Sequence, residues 1–297
     1  DTPSGPSNPS DPSTPVSYYR PKTSESKATF DQVYQYMPAP GQFINELKTG
    51  GFDSTHTTQE AANLYAKERL DKGIWVSLGG FGGYIVVGFD HSIDNTGGYD
   101  FAVIGNSFNN SSEPGIVWVM QDENGDGLPN DTWYELRGSE TGKETTIQNY
   151  AVTYYRPETV QSPVKWTDSE GASGEIDYLK AYHNQDYYYP LWVESDTYTL
   201  VGTRLEPKNY DQSGKGTYWV LPTFDWGYVD NFSSIDRPTE KSVDNRFRIS
   251  DAMDSNGKAV LLDYIDFVKV QTGVNSKSGW LGEVSTEVVG FYDCSIK

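Results

Sequence analysis

The sequence predicts an all-β protein: an antiparallel β-sandwich of jelly-roll type with one or two short helices. The first observation is a series of short runs rich in Val, Ile, Tyr, Phe and Trp, each about the length of a strand. The second is that Gly, Pro, Asn and Asp separate these runs, as they do in tight turns. The third is that only one segment shows a clear helical pattern. Many short strands with few helices are typical of a sandwich.

The N-terminal segment, residues 1–28, is rich in Pro, Ser, Asp and Thr and offers almost nothing to bury. Such a composition does not offset the entropy of ordering the chain, so we expect a flexible tether. Residues 29–297 show no internal repeat and no second linker, which predicts a single sandwich domain. No run approaches the length of a transmembrane helix, and no signal sequence opens the chain. We therefore expect a trimmed form whose lipid anchor lies outside this sequence.

One helix is predicted in the first third of the chain. Residues 57–60 read Thr-Thr-Gln-Glu, which has the form of a capping box at a helix start, and Lys72-Gly73 marks the end. The apolar residues at helical spacing between these signals are Ala61, Ala62, Leu64, Tyr65 and Leu70.

Beyond Gly73 the pattern becomes that of β-structure. The GGFGG run at residues 79–83 predicts a close-packed bend, because no Gly-Lys-Ser/Thr follows it as in a phosphate loop. The predicted strands are residues 74–78, 84–89, 99–104, 116–120, 132–136, 149–155, 198–203, 216–221, 247–249, 260–270 and 283–291.

The chain is strongly acidic: Lys and Arg total 23, Asp and Glu total 42, and the net charge is −19. Such a surface repels nucleic-acid phosphates and anionic lipid headgroups, so we expect neither as a partner. It suits a soluble or surface protein that tolerates divalent cations. Cys294 is the single cysteine, which excludes a disulfide framework and a cysteine zinc site.

A candidate calcium loop follows a predicted strand within residues 115–131, which read GIVWVMQDENGDGLPND. Oxygen-bearing side chains fall at loop positions 1, 3 and 5, and Gly127 supplies the sharp turn at position 6. Position 12 is Trp133 rather than Glu, so we expect Asp131, two residues earlier, to supply the late carboxylate. The alternative is a solvated Asn/Asp/Gly hairpin turn. The expected ligands of a structural calcium are Asp122, Asn124, Asp126, the carbonyl of Leu128, and Asp131.

Aromatic residues make up 14% of the chain, and two clusters mix rings with polar side chains and Pro or Gly breaks. This mixture is typical of ligand-facing loops, where Tyr and Trp offer flat apolar faces to a bound molecule. The alternative is that roughly half of these rings fill the sandwich core. The candidate ligand-binding residues are His183, Tyr187, Tyr188, Tyr189, Trp192, Trp219, Trp226 and Tyr228.

The sequence offers no catalytic motif. The chain has three histidines, His56, His91 and His183, and the neighbouring Asp90-His91 pair is not a dyad by sequence spacing alone, because adjacent residues of a strand point to opposite faces. No G-x-S-x-G or H-E-x-x-H pattern occurs. A glycosidase pair of carboxylates is still an open alternative, because its two residues can be far apart in the sequence. We expect no enzymatic activity.

Further metal candidates, each more simply explained by a turn or a surface carboxylate, are Asp90, Asp94, Asp100, Glu113 and Asp254.

Several blocks together resemble the "cell surface protein" lipoproteins of Bacteroidota: GGFGGYIVVGFDHSI, SSEPGIVWVMQDENGDGLPNDTWYELRGSE, DWGYVDN, FRISDAMD and SGWLGEVSTEVVGFYD. The resemblance covers nearly all of residues 30–293. It implies an outer-membrane lipoprotein on the cell surface that binds vitamin B12, a corrinoid, and passes it to a TonB-dependent transporter. No corrinoid-contacting residue can be carried over from a family motif.

We therefore expect a non-enzymatic corrinoid-binding protein with a structural calcium. The alternatives are a carbohydrate-binding surface lipoprotein, which would stack sugars on the same kinds of ring, and a glycoside hydrolase or an adhesin.

Overall fold

The computed structural model describes residues 17–47, 52–53 and 55–296. They form an all-β, sandwich-like fold with one α-helix, which confirms the predicted fold class. Helix α1 spans Gln59–Asp71, and two 3₁₀ helices span Ile249–Asp251 and Gly279–Leu281. The strands are Gln32–Met37 (β1), Val76–Ser77 (β2), Tyr84–Asp94 (β3), Phe101–Ile104 (β4), Gly115–Met120 (β5), Tyr134–Leu136 (β6), Ile147–Tyr155 (β7), Val164–Asp168 (β8), Ser173–Ile176 (β9), Thr197–Arg204 (β10), Tyr210–Asp211 (β11), Trp219–Val220 (β12), Asp244–Phe247 (β13), Ala252–Met253 (β14), Tyr264–Thr272 (β15), Glu287–Val288 (β16) and Gly290–Asp293 (β17).

The strands of the described ranges form five sheets, and they pair in antiparallel fashion within each sheet. The largest sheet has six strands in the order β1-β3-β15-β5-β6-β14, and the next has four in the order β10-β7-β8-β9. A three-stranded sheet, β13-β4-β17, and the pairs β11-β12 and β16-β2 complete the set.

One large hydrophobic cluster is shared by the three largest sheets. Val87 comes from the six-stranded sheet, Val152 and Leu200 from the four-stranded sheet, and Phe101 from the three-stranded sheet. The apolar faces of the sheets therefore turn toward one another, which is the arrangement of a sandwich. A smaller cluster around Phe224 lies outside this main core.

Tyrosines take part in the core because their hydroxyls find backbone partners. Tyr36 donates to the carbonyl of Ser77 at 2.7 Å, and Tyr154 donates to the carbonyl of Phe81 at 2.8 Å. A phenol can be buried without penalty when its hydroxyl is hydrogen-bonded. The high tyrosine content of the chain is therefore used in part for packing.

Helix α1 begins and ends where the sequence predicts. The side chain of Thr58 accepts a hydrogen bond from the backbone amide of Ala61 at 3.1 Å, which satisfies one free donor at the helix start. The helix buries Ala62, Ala66 and Leu70 against the core cluster. Gly73, with φ of +66°, follows the end of the helix.

The predicted bend at residues 79–83 is confirmed by close backbone contacts. A Cβ atom on Gly83 would lie 1.8 Å from the carbonyl oxygen of Leu78, and one on Gly79 would lie 2.0 Å from that of Ala39. Only glycine allows this approach of two chain segments.

Each predicted strand overlaps an observed one, with different bounds. The predicted strand 283–291 is divided into β16 and β17, and Ile249 of the predicted strand 247–249 belongs to a 3₁₀ helix. Five observed strands, β1, β8, β9, β11 and β14, were not predicted.

The predicted tether, residues 1–28, lies partly outside the described residues. Within residues 17–28, Arg20 contacts the domain: its guanidinium donates to the carbonyl of Phe89 at 2.8 Å and lies 3.0 Å from the carboxylate of Asp266. This part of the segment is therefore packed against β3 and β15. Among the described residues, no helix is both long and apolar enough to cross a membrane.

Candidate functional site

The structure places four of the predicted ligand-binding rings in the interior. Tyr188, Tyr189, Trp192 and Tyr228 are all buried. The Tyr188 hydroxyl donates to the carbonyl of His183 at 2.7 Å, and the Tyr189 hydroxyl donates to that of Ser195 at 2.8 Å. These rings support the fold from within and do not form an exposed platform.

The remaining predicted rings do not come together. Tyr187 is half-buried, and Trp219 packs against the smaller hydrophobic cluster. Trp226 lines a separate cavity of about 270 Å³, together with Tyr99 and three arginines. One member of the predicted set, His183, lies at a cleft that combines rings with carboxylates.

This cleft has a volume of about 350 Å³ and is formed by segments that are distant in the sequence. Three of its rings are largely exposed: Phe108 at 64%, Tyr182 at 62% and Trp280 at 48%. The rings of Tyr182 and Trp280 lie 6.3 Å apart, centre to centre. We call it the acid-floored cleft, and its rings and carboxylates belong to Phe43, Trp75, Phe108, Tyr182, His183, Trp280, Glu113, Glu283 and Glu287.

His183 is held in a defined orientation at this cleft. Its Nδ1 lies 2.6 Å from Oε1 of Glu46, and its ring packs edge-on against Phe43 at a centroid distance of 4.8 Å. A carboxylate bonded to one imidazole nitrogen fixes which nitrogen is available to a ligand. Nε2 of His183 is therefore the nitrogen that can act as a donor, an acceptor or a metal ligand.

Carboxylates form the floor of the cleft: Glu283 and Glu287 are buried, and Glu113 is half-buried. Glu113 Oε1 accepts the backbone N–H of Ser285 at 3.1 Å, and Glu287 Oε1 accepts the hydroxyl of Ser285 at 2.9 Å. Asp230 lies behind them and accepts the backbone N–H groups of Asn106 and Glu287, both at 2.9 Å.

Burial changes the protonation of these acids. It raises the pKa of Glu113 to about 7 and that of Glu283 to about 8. Burial raises the pKa values of Asp230 and Glu287 well above their usual range, and the charge of Glu113 adds to both effects. Low polarity and like charges both disfavour the ionised form.

The local chain explains how these acids meet. Residues 283–287 read EVSTE, so alternation along an extended chain turns Glu283, Ser285 and Glu287 to one side. Backbone hydrogen bonds hold the segments that carry the other two acids: the amide of Glu113 donates to the carbonyl of Asp230 at 2.9 Å.

Sequence analysis missed most of this site. It named Glu113 only as a secondary metal candidate, and it did not name Glu283 or Glu287. The available signal was the alternation of three polar residues, Glu283, Ser285 and Glu287, shortly after Trp280. Asp230 carried no such signal.

The predicted calcium loop is folded by short-range hydrogen bonds. The two carboxylate oxygens of Asp122 accept the amides of Gly125 at 2.7 Å and Gly127 at 2.9 Å. Asp126 accepts the amide of Leu128 at 2.8 Å, and Asp131 accepts the amide of Glu123 at 3.0 Å. The side chain of Asn124 accepts the amide of Asp126 at 2.8 Å. Such contacts occur both in plain Asx turns and in loops that wrap a cation.

Fold and site together define a class: a β-sandwich protein with a ring-lined, acidic cleft suited to holding a polar ligand. Its carboxylates can accept hydrogen bonds from hydroxyl or amide groups, and its rings can stack on flat surfaces. Comparison of the chain with protein-family models and with curated proteins found no match.

Proposed function

We propose that this protein is a non-enzymatic binding protein that captures a corrinoid at the acid-floored cleft. The observation that carries this proposal is the orientation of His183, whose Nδ1 is held by Glu46 at 2.6 Å while the imidazole lines the cleft. An imidazole nitrogen fixed in this way is suited to a metal-centred ligand such as the cobalt of a corrinoid.

The surroundings of His183 support the same ligand class. Tyr182 and Trp280 offer exposed ring faces to a broad macrocycle, and Glu113 and Glu283 offer acceptors for its peripheral amide groups. A cleft of about 350 Å³ would take one part of such a molecule, with the rest lying against the exposed rings.

In line with the resemblance, we further propose that the protein is a surface-exposed outer-membrane lipoprotein that hands the corrinoid to a TonB-dependent transporter. The calcium expected at residues 122–131 is part of this proposal. Its role would be to brace the loop after β5.

A carbohydrate-binding function is the second candidate. The observation that favours it is the pairing of buried carboxylates with the exposed rings of Tyr182 and Trp280. Sugars stack their apolar faces on such rings and donate hydroxyl hydrogens to carboxylates.

Calorimetric titration with cyanocobalamin and with a panel of glycans tests the proposal. We expect corrinoid binding by the wild type and a loss of about fivefold or more in affinity for Trp280→Ala, because a ring that stacks on a ligand contributes about 1–3 kcal/mol. Tyr155→Ala is the matched control, since Tyr155 is 39% exposed and lines a different groove on β7. Glycan binding without corrinoid binding would favour the second candidate, and turnover of a glycan would contradict both.

A further inference from the structure

Three carboxylates converge beneath the acid-floored cleft. Glu113, Asp230 and Glu287 each offer one oxygen, and these oxygens lie within 4.8 Å of one another. Oxygens this close to one another can share one calcium ion after small side-chain shifts, because calcium–oxygen bonds are about 2.3–2.6 Å long. Among the described residues that line the cleft, none is a lysine or an arginine that could balance the charge.

The existing hydrogen bonds leave room for a cation. Ser285 supplies one donor to Glu113 and one to Glu287, and the backbone amides of Asn106, Ser107 and Glu287 donate to Asp230. Glu113 and Glu287 also share a side-chain hydrogen bond, which requires a proton on one of them. An ionised carboxylate has about four acceptor positions. Loss of the proton shared by Glu113 and Glu287 would therefore leave acceptor positions on both carboxylates for a cation.

Two buried oxygens beside the trio lack any hydrogen-bond partner. One is Oε2 of Glu283, a residue that is only 3% exposed and lines the same cleft as Glu113 and Glu287. The other is the hydroxyl of Ser107, whose own backbone N–H donates to Asp230. A buried polar atom without a partner is costly, and such atoms are rare in folded proteins. Their presence beside three carboxylates points to a ligand that satisfies oxygen atoms.

We propose that Glu113, Asp230 and Glu287 bind a divalent cation of the calcium class, with Glu283 adding a further oxygen. The set consists only of oxygen ligands, which suit hard cations such as Ca²⁺ better than zinc or copper. Because Glu113 and Glu287 line the cleft, the ion enters from the cleft and can present its remaining coordination positions there. This site is separate from the predicted calcium loop at residues 122–131.

Calcium titration by calorimetry after chelator treatment tests this site, with Asp126→Asn as the parent protein. That change neutralises a central carboxylate of the loop, so that loop binding does not obscure the trio. We expect the parent to bind one Ca²⁺ and to melt at a higher temperature in its presence. Adding Glu287→Gln removes one charged ligand at nearly constant shape, and the calcium affinity should fall at least about tenfold.

Asp230→Asn in the same parent is a second variant, because Asn tolerates the positive φ of +56° at this position. It should weaken calcium binding in the same way, and circular dichroism would confirm that each variant is folded. An unchanged calcium titration in either folded variant would overturn the proposal, as would the absence of calcium binding by the parent. Since calcium alone is the probe, neither result depends on which organic ligand the cleft binds.

Discussion

Glu46 Oε1 lies 2.6 Å from Nδ1 of His183, and this contact joins two segments that are 137 positions apart in the chain. Both side chains are largely shielded from solvent, with 7% and 17% exposure. A carboxylate bound to one imidazole nitrogen orients the ring and makes the other nitrogen a better donor of electrons. The pair therefore gives the cleft a fixed imidazole.

The first prediction concerns this imidazole as a cobalt ligand. When aquocobalamin is added to the wild type, we expect a change in the visible absorption spectrum, because an imidazole nitrogen replaces water on the cobalt. His183→Ala should abolish that change and weaken binding by about tenfold or more. Removal of a group that binds or orients a metal typically lowers metal affinity by about 10–100-fold. His56→Ala is the control, since His56 lies on the loop before α1 and does not line the cleft. An equal spectral change in His183→Ala would show that the imidazole does not bind cobalt.

The second prediction separates rings that stabilise the fold from rings that face solvent. Trp192 is 6% exposed and packs against Tyr36 and Phe52, whereas Trp280 is 48% exposed. Trp192→Ala should lower the free energy of unfolding by about 3–5 kcal/mol, because it leaves a large cavity. Trp280→Ala should change it by less than about 1 kcal/mol. Chemical denaturation of both variants measures this contrast, and equal losses would contradict the assignment of Trp280 to the rim.

The predicted strands share one physical property, which is an apolar run long enough to be recognised without knowledge of its neighbours. Strand β5 reads GIVWVM and is almost wholly buried. Strand β8, VKWTD, buries only Val164, and β9, SGEI, buries only Ile176. Half-exposed strands of this kind are defined by pairing with their neighbours, which the sequence does not reveal.

The cleft was harder to predict because its parts are remote from one another. The backbone amide of Gln42 donates to Glu283 Oε1 at 2.8 Å, although the two residues are 241 positions apart. The rings posed a different difficulty. Tyr188 and Tyr189 are neighbours in an irregular segment, so no strand alternation indicates which ring is buried, and in fact both are. Periodicity is informative only where the backbone is regular.

The third prediction concerns the loop at residues 122–131. Asp122 is 4% exposed, and its carboxylate accepts the amides of Gly125 and Gly127. Asp122→Ala leaves both donors unpaired and should lower the free energy of unfolding by about 1–3 kcal/mol even in chelator. If the loop also binds calcium, the loss will be larger in calcium than in chelator. Asp254→Ala is the control, because Asp254 accepts the amides of Asn256 and Lys258 in a comparable turn without the other acidic residues.

Thermal melts of both variants, with and without calcium, separate the two contributions. Equal losses for Asp122→Ala and Asp254→Ala in calcium would argue against a cation in the loop. An unchanged stability of Asp122→Ala in chelator would contradict the role of the two amide contacts.

The last prediction concerns the contribution of Glu135 on β6 to the pH dependence of stability. Burial raises the pKa of Glu135 to about 7, although the hydroxyl of Thr203 and the charge of Lys269 act in the opposite direction. The folded state therefore retains the proton of Glu135 more tightly than the unfolded state, whose ordinary pKa is 4.5. The stabilising contribution is complete below pH 4.5 and is lost as the pH rises toward 7.

Glu135→Gln removes this titration while keeping the shape of the side chain and a hydrogen-bonding oxygen for Thr203. The stability of the variant relative to the wild type should increase between pH 4.5 and 7 by up to about 3 kcal/mol, since each pKa unit corresponds to about 1.4 kcal/mol. Buried acids that do not interact with Glu135 titrate alike in both proteins and cancel in the difference. Lys269 does interact with Glu135, but burial lowers its pKa only to about 8, against the opposing charge of Glu135, so Lys269 titrates above the measured range. Urea denaturation at half-unit pH steps measures the difference. If it stays constant over this range, Glu135 does not hold a raised pKa in the folded protein.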